Sequence, residues 1–193
     1  MRQYLSILDD FFERPSVVRR IALGLNYKDE VSPSDGLVYH NIAFPVPPII
    51  LQEIQVKLAY VYGCGVDVKM SYLRLSPKGS RPKYWVHTDP VLAENALIAY
   101  LNTPEQCRGG TAILEHKSGL SSSPVNEAEE KTWRRDANNM NNWDVVTSIR
   151  MKYNRAFCMS SYNFHAALPR GGFGQDVNDG RLILAVFYNL LEA

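Results

Sequence analysis

The chain has 193 residues, which is enough for one domain with a sizeable core and short for two. Hydrophobic residues make up 46% and charged residues 21%, as in soluble globular proteins, and no run approaches the roughly 18 apolar residues of a membrane span. The formal net charge of +1 argues against a nucleic-acid partner, because binders of that class usually carry a basic excess. Acidic residues interrupt the N-terminal stretch before a signal-peptide core can form, so we expect a cytoplasmic location.

The first part of the chain predicts a short strand, two helices and a long loop. Apolar residues alternate within residues 1–13, which indicates a short strand, and Pro15 then opens a helix with one apolar face. Residues 28–46 are rich in Asp, Ser, Gly and Pro and are predicted to form a loop. The segment from Pro47 to Gly63 has apolar residues at helical spacing and is predicted to be the second helix.

From Val66 onward the chain predicts strands. Short β-prone runs follow one another, each bounded by Pro, Gly, Asn or Asp: VDVKMSYLRL, KYWVHTD, ALIAYLN, GTAILEH, RAFCMSS and RLILAVFYNLL. Several strands at this spacing indicate a sandwich or a jelly roll. The polar stretch at about 118–142 is too long for a hairpin loop and is predicted to be an insertion. Residues 143–153 fit a helix or a strand, and we favour the helix.

Together these elements predict a single domain over residues 1–193, mainly β with flanking helices. Residues 1–65 are expected to form an N-terminal helical support. Residues 66–193 are expected to form the core, a double-stranded β-helix (jelly roll, cupin-like) interrupted by the polar insertion. The N-terminal helices would pack on one sheet of this core.

A histidine and an aspartate lie two residues apart in the segment VHTDP, at the end of a predicted strand. Because side chains alternate along a strand, His87 and Asp89 are expected to point to the same face. A third metal ligand has to come from elsewhere, and His165 is the best candidate. Two histidines and one carboxylate leave three positions of an octahedron open, which is the arrangement of non-haem Fe(II) oxygenases. Zinc is the competing metal, although it prefers tetrahedral closure with one water.

Further motifs follow the His-x-Asp pair in a fixed order: Tyr100-Leu101-Asn102, Gly109-Gly110-Thr111, the distal His165, and Arg181 at the start of the last strand. Over about residues 70–190 this order resembles the prolyl-4-hydroxylase-like branch of the 2-oxoglutarate/Fe(II) oxygenases. The resemblance implies Fe(II) as the metal and 2-oxoglutarate as the cosubstrate. It also implies that His87, Asp89 and His165 are the metal ligands.

The resemblance assigns two residues to the cosubstrate. Arg181 would pair with the distal carboxylate of 2-oxoglutarate, and a guanidinium suits this role because it forms two parallel charge-assisted bonds. Tyr100 would help to hold the same carboxylate. A solvated arginine and a plain core tyrosine are the structural alternatives. Many relatives carry a further cosubstrate-contacting tyrosine, whose position here is near Leu75, and Tyr72 or Tyr84 are the possible substitutes.

The implied activity is hydroxylation of a C–H bond in a peptidyl proline or a small molecule, with consumption of O2 and release of succinate and CO2. Asp89 favours hydroxylation, because related halogenases lack this carboxylate. The alternative is a cupin-type metal- or ligand-binding protein without oxygenase activity, since fold does not determine function.

Two segments are candidates for substrate recognition. A basic loop contains Lys78, Arg81 and Lys83 and would suit an acidic peptide or a phosphate. The polar insertion contains Trp133 beside two arginines and would suit a lid over the substrate. For both segments an ordinary solvated loop is the alternative.

Overall fold

The computed structural model describes residues 5–31 and 36–192 and is mainly β, with helices at its flanks. The helices are α1 (Pro15–Leu23), α2 (Pro48–Tyr62) and α3 (Glu127–Asp136). The strands are β1 (Leu5–Leu8), β2 (Lys28–Val31), β3 (Val38–Ala43), β4 (Val66–Ser76), β5 (Asn95–Tyr100), β6 (Gly110–His116), β7 (Trp143–Arg150), β8 (Ala156–Ser160), β9 (His165–Leu168) and β10 (Arg181–Leu190). Within the described residues, no helix combines the length and apolar character needed to cross a membrane.

The strands form two antiparallel sheets. The larger sheet has the strand order β1-β8-β5-β10-β4-β3-β2, and the smaller sheet has the order β7-β6-β9. This arrangement confirms the predicted mainly β fold with flanking helices. The exact double-stranded β-helix and the single-domain organisation stay predictions.

One apolar core lies between the larger sheet and the first two helices. Its helix side comes from residues spaced three or four apart, and its sheet side from every second residue of the central strands; among its members are Val18, Ala22, Ile50, Ile54, Leu58, Leu73, Leu97, Leu182 and Leu184. Helix α2 ends at Gly63, whose φ of 69° is the left-handed conformation that favours glycine. The N-terminal helices therefore pack on one sheet, as predicted.

The opposite face of the larger sheet looks toward the smaller sheet. Along β10, Leu182 and Leu184 belong to the helix-side core, whereas Ile183 and Phe187 belong to a second core shared with Ile149 of the smaller sheet. Alternation along the strand thus directs Arg181, two residues before Ile183, into the space between the sheets. This space holds the candidate site.

Two segments that the sequence predicts to be a loop and a helix contain strands instead. The expected loop 28–46 contains the strands β2 and β3, although residues 32–35 lie outside the described part. The expected helix 143–153 is strand β7. Both β2 and β7 are edge strands, and most of their side chains are exposed, so neither shows the apolar alternation by which strands are recognised.

The segment KYWVHTD also forms no regular strand, and only an isolated bridge joins His87 to His165. The polar stretch 118–142 behaves as the predicted insertion, because it leaves β6, forms α3 and returns to β7 beside it.

Gly110, the first residue of β6, allows the backbone of β7 to approach closely. Its φ is 150°, and a Cβ atom there would lie 1.9 Å from the carbonyl oxygen of Ile149. We expect Gly110→Ala to destabilise the fold by about 3 kcal/mol or more, since overpacking alone costs about 1–3 kcal/mol. Urea unfolding measures this, and Gly79→Ala is the control, because Gly79 has a φ of 95° but no atom within 4 Å of the place that an alanine methyl group would take. Equal effects of the two substitutions would contradict the steric explanation.

Candidate functional site

The three predicted metal ligands meet between the two sheets. His165 begins β9, and His87 lies on the neighbouring segment, where the two residues exchange backbone hydrogen bonds of 3.1 and 2.9 Å. Asp89 follows two residues later and is held by its amide, which donates to the carbonyl of Ser161 at 2.8 Å. The isolated bridge to β9 therefore positions His87 and Asp89, whereas the sequence predicted a regular strand over residues 83–89 for this role.

The ligand atoms of the three side chains lie close enough for one ion. They are all within 4.8 Å of one another, and Asp89 Oδ2 is 3.3 Å from His165 Nε2 and 4.0 Å from His87 Nε2. The centroids of the two imidazole rings are 4.3 Å apart. A set of two imidazoles and one carboxylate suits a divalent transition metal and leaves positions for further ligands.

Backbone carbonyls orient both imidazoles toward this point. His87 Nδ1 lies 3.0 Å from the carbonyl oxygen of Trp85, and His165 Nδ1 lies 3.1 Å from that of Asn163. A carbonyl oxygen only accepts, so each Nδ1 carries a proton, and Nε2 is the nitrogen that can bind a metal when it is unprotonated. Metal-binding histidines commonly donate from their other ring nitrogen in this way.

The pKa values of the three side chains shift in different directions. Burial and the neighbouring His165 lower the pKa of His87 to about 4, so this imidazole is neutral near pH 7. Burial opposes the ionisation of Asp89, but His87 and His165 outweigh it and lower the pKa of this carboxyl group. Burial opposes the protonation of His165, but the hydrogen bond and charge of Asp89 outweigh it and raise the pKa of this imidazole.

Arg181 reaches the same cavity from β10. This inner cavity has a volume of about 90 Å³, and its lining includes the three candidate ligands, Tyr72, Arg74, Thr111 and Arg181. Arg181 is 3% exposed, its Nη2 donates to the carbonyl of Gly110 at 3.2 Å, and its Nε has no hydrogen-bond partner. Burial lowers the pKa of this guanidinium. A buried charge with an unused N–H group indicates that an anionic partner is missing.

Asn102 fixes the position of Arg181. Its side-chain amide donates to the carbonyl of Gly180 at 2.8 Å, and its oxygen accepts from the amide of Leu182 at 2.8 Å. The two bonds bracket Arg181 on both sides in the chain. The asparagine of the Tyr-Leu-Asn motif is thus a positioning residue for the predicted cosubstrate arginine.

Tyr100 lies behind the wall of the inner cavity and does not line it. Its buried hydroxyl is 2.9 Å from Thr111 Oγ1 and 3.3 Å from the carbonyl oxygen of Ile149, and the Arg181 guanidinium lies 5.9 Å from the centre of its ring. Burial raises the pKa of Tyr100 to about 12. A direct contact from Tyr100 to 2-oxoglutarate stays a prediction, whereas Thr111 has access to the cavity.

Strand β4 supplies two further polar residues to the cavity. Tyr72 and Arg74 share a face, two residues apart, and both line the inner cavity, whereas Leu75 does not. Tyr84 lies outside this cavity. Tyr72 is therefore the tyrosine placed to substitute for the one expected near Leu75, and Arg74 was missed by the sequence analysis.

A second cavity of about 190 Å³, the outer cavity, adjoins the inner one. The two share Arg74, Pro82, His87 and Asp89. The outer cavity also has three aromatic residues in its wall, namely Tyr39, Tyr84 and Trp133. It is the space from which a second molecule can approach the candidate metal ligands.

Helix α3 of the polar insertion forms part of the outer cavity. Trp133 donates from Nε1 to the carbonyl of Val86 at 2.9 Å, and its ring centre is 5.0 Å from that of Tyr84. Arg134 is bonded to Tyr84 at 2.7 Å and to Glu130 at 2.6 Å. Both residues line the cavity, whereas Arg135 pairs with Asp136 instead, and a role of the insertion as a lid stays a prediction.

The predicted basic loop is divided between two surfaces. Lys83 lines the outer cavity. Lys78 and Arg81 line an open groove of about 820 Å³, together with Arg108 and Arg170, and this groove adjoins the inner cavity at Ser80, Gly171 and Gly172. The loop therefore does not act as one recognition patch.

A buried hydrogen bond between His116 and Asp136 holds α3 in place. His116 Nε2 on β6 lies 3.1 Å from Asp136 Oδ2 at the end of the helix, and both side chains are 6% exposed. The hydrogen bond from Arg135, with further bonds from Asn142 and His116, lowers the pKa of Asp136 to about 2. A carboxylate with a lowered pKa stabilises the fold above its unfolded pKa, near 4, and this contribution is lost as the pH falls through 2.

We therefore expect Asp136→Asn to lower the free energy of unfolding by about 1–2 kcal/mol at pH 7, because a charge-assisted hydrogen-bond network is lost. The difference from the wild type should shrink between pH 4 and 2. Denaturant unfolding at several pH values measures it, and Asp144→Asn is the control because Asp144 is exposed. A difference that stays constant with pH would contradict the assignment.

Comparison with protein-family models finds no match, and no curated protein matches the chain by sequence. Comparison with solved structures finds extensive similarity at low sequence identity. EctD from S. alaskensis with bound Fe aligns over 97% of this chain and 73% of its own, with a TM-score of 0.57 and 13% identity. A 2OG-Fe(II) oxygenase family oxidoreductase from Burkholderia pseudomallei aligns over 96% of this chain and 85% of its own, with a TM-score of 0.55 and 14% identity.

HygX from Streptomyces hygroscopicus, with nickel, 2-oxoglutarate and hygromycin B bound, aligns over 97% of this chain and 83% of its own, with a TM-score of 0.57 and 12% identity. At these identities the similarity shows the fold alone. The chain therefore has the fold of solved 2-oxoglutarate/Fe(II) oxygenases over almost its full length. The prolyl-4-hydroxylase-like branch stays a prediction.

Proposed function

We propose that the protein is a jelly-roll 2-oxoglutarate- and Fe(II)-dependent oxygenase that hydroxylates a C–H bond of a small molecule. The observation that carries this proposal is the inner cavity, which has a metal-binding triad in its wall and a buried, incompletely paired arginine in the same wall. An ion and a dicarboxylate together match this pair of features. The solved neighbours, among which HygX binds 2-oxoglutarate and a small molecule, support the same assignment.

In this proposal His87, Asp89 and His165 hold the iron, and Arg181 holds the distal carboxylate of 2-oxoglutarate. When bound, iron and 2-oxoglutarate together react with O2 to hydroxylate the substrate, with release of succinate and CO2. Asp89 supplies the anionic ligand, and its Oδ2 lies 3.3 Å from His165 Nε2. The two sheets and the Trp133 wall keep the cosubstrate away from bulk water.

The direct test is turnover of 2-oxoglutarate by the purified protein with Fe(II), ascorbate and O2, with no added substrate. We expect slow, iron-dependent formation of succinate, because oxygenases of this kind turn over the cosubstrate without coupling. Metal binding without any 2-oxoglutarate binding would instead indicate a cupin-type metal-binding protein.

A further inference from the structure

Arg74 is a half-buried arginine whose guanidinium has no acceptor for its N–H groups among the described residues. It forms no ion pair and no side-chain hydrogen bond with any described residue, and its Nε is fully enclosed without an acceptor. Its guanidinium lies 5.9 Å from the ring centre of Tyr39, and this cation–π contact gives the in-plane N–H groups no acceptor. An arginine in this state is suited to bind an anion.

Arg74 is distinct from the predicted cosubstrate arginine. On the paired strands, Arg74 lies opposite Ile183 and Ser76 lies opposite Arg181, so the two arginines are diagonal neighbours on one sheet face. Burial is the main cause of the lowered pKa of Arg181, and the charge of Arg74 adds to it, as expected for neighbouring guanidinium groups. Arg181 belongs only to the inner cavity, whereas Arg74 also lines the outer cavity.

The positive charge of Arg74 is not compensated even when the metal and 2-oxoglutarate are bound as proposed. A divalent metal and doubly charged 2-oxoglutarate cancel each other. Asp89 is the one carboxylate among the described residues that line either cavity, and it compensates one of the two arginines. One positive charge remains in a poorly solvated place, and it is on the side that faces the outer cavity.

The other basic residues that line the outer cavity are less suited to bind an anion. Arg134 is paired with Glu130, and the His40 ring lies 2.8 Å from a carboxylate oxygen of Asp29. Lys83 is exposed, so water solvates its charge. Among the described residues that line this cavity, Arg74 is therefore the cation that is both unpaired and next to the candidate ligands.

We propose that the outer cavity binds the substrate, that the substrate is a small carboxylic acid with an apolar or aromatic body, and that Arg74 binds its carboxylate. This inference rests on the proposed oxygenase function. The flat rings of Tyr39, Tyr84 and Trp133 pack against the body of the substrate. His87 and Asp89 are shared by both cavities, so a molecule anchored on Arg74 lies beside the metal ligands.

Ligand-observed NMR on the protein loaded with Mn(II) and saturating 2-oxoglutarate tests this inference. The probes are 3-phenylpropionate, its uncharged amide, and 2-phenylethyl phosphate, and the Zn(II)-loaded protein is the diamagnetic reference. We expect the carboxylate to bind at least about tenfold more tightly than the amide, and Mn(II) to broaden its signals. The phosphate should bind more weakly than the carboxylate, because the cavity is small.

Two variants separate Arg74 from its surroundings. Arg74→Gln should remove the preference for the carboxylate over the amide, and Lys69→Gln, on the same strand but outside both cavities, should leave it unchanged within about twofold. Calorimetric titration of 2-oxoglutarate into each variant serves as the second readout, and Arg74→Gln should keep wild-type affinity within about threefold.

The outcomes that overturn the inference are distinct from failure of the proposed function. Equal binding of carboxylate and amide, absence of binding by any of the acids, or tighter binding of the phosphate would contradict a carboxylate substrate. If Arg74→Gln loses 2-oxoglutarate affinity, Arg74 belongs to the cosubstrate site, and the oxygenase proposal stands while this inference falls. If wild-type protein binds neither metal nor 2-oxoglutarate, the proposed function itself is wrong.

Discussion

Replacing Asp89 with alanine is expected to abolish iron-dependent succinate formation and to lower the affinity for divalent metals by about a hundredfold or more. Loss of a residue that only hydrogen-bonds a metal ligand already lowers metal affinity or activity by about 10–100-fold. The physical reason is that Asp89 supplies the only anionic ligand of the triad, 3.3 Å from one imidazole and 4.0 Å from the other. The same result is expected for His87→Ala and His165→Ala.

Metal affinity is measured by calorimetry with Mn(II), and activity by succinate formation. Asp67→Ala is the matched control, because Asp67 lies on β4 outside both cavities and pairs with Lys69. Unchanged succinate formation in all three ligand variants would exclude this centre as the site of the reaction.

Replacing Arg181 is expected to separate cosubstrate binding from metal binding. Truncation of one partner of a buried charge pair costs about 2–5 kcal/mol, so Arg181→Ala should weaken 2-oxoglutarate binding by at least about thirtyfold and leave Mn(II) affinity unchanged. Calorimetric titration of each ligand into the variant measures both quantities. Loss of metal affinity together with cosubstrate affinity would show that Arg181 supports the whole centre and does not act on 2-oxoglutarate alone.

The ligand-free protein provides a second readout for Arg181. Its guanidinium is almost fully buried with an unpaired Nε, and replacement of such a charge by an apolar side chain of similar volume is often neutral or stabilising. We expect Arg181→Met to have a Tm equal to or above that of the wild type without ligands, and to show no rise in Tm with 2-oxoglutarate. Arg150→Met, at an exposed position of β7, controls for the change of side chain.

The sequence predicts the central strands and the metal ligands because local patterns mark them. The strand pattern around Arg181 has buried residues on both faces, and the His-x-Asp pair and the distal histidine are recognisable from their order. In contrast, the edge strands β2 and β7 depend on partners that are distant in sequence and carry mostly exposed side chains, so their local patterns resemble a loop and a helix.

Arg74 shows the corresponding limit for the site. In the sequence it is one polar residue in an alternating strand, and polar residues at such positions usually face solvent. Here the smaller sheet and the insertion cover that face, which only the tertiary structure reveals. Its burial makes Arg74 a candidate recognition residue. This burial cannot be predicted from the residues next to Arg74 in the sequence.

The reciprocal backbone hydrogen bonds between His87 and His165 couple metal binding to local unfolding of the chain. The segment between β4 and β5 is joined to β9 at this isolated bridge. An ion that binds both imidazoles therefore adds a second link between the same two segments. Amide protons exchange with solvent only when such a junction opens. Exchange at these two amides should therefore slow when a metal binds, and the loop that carries Pro82 and Tyr84 into the outer cavity becomes rigid along with the metal centre.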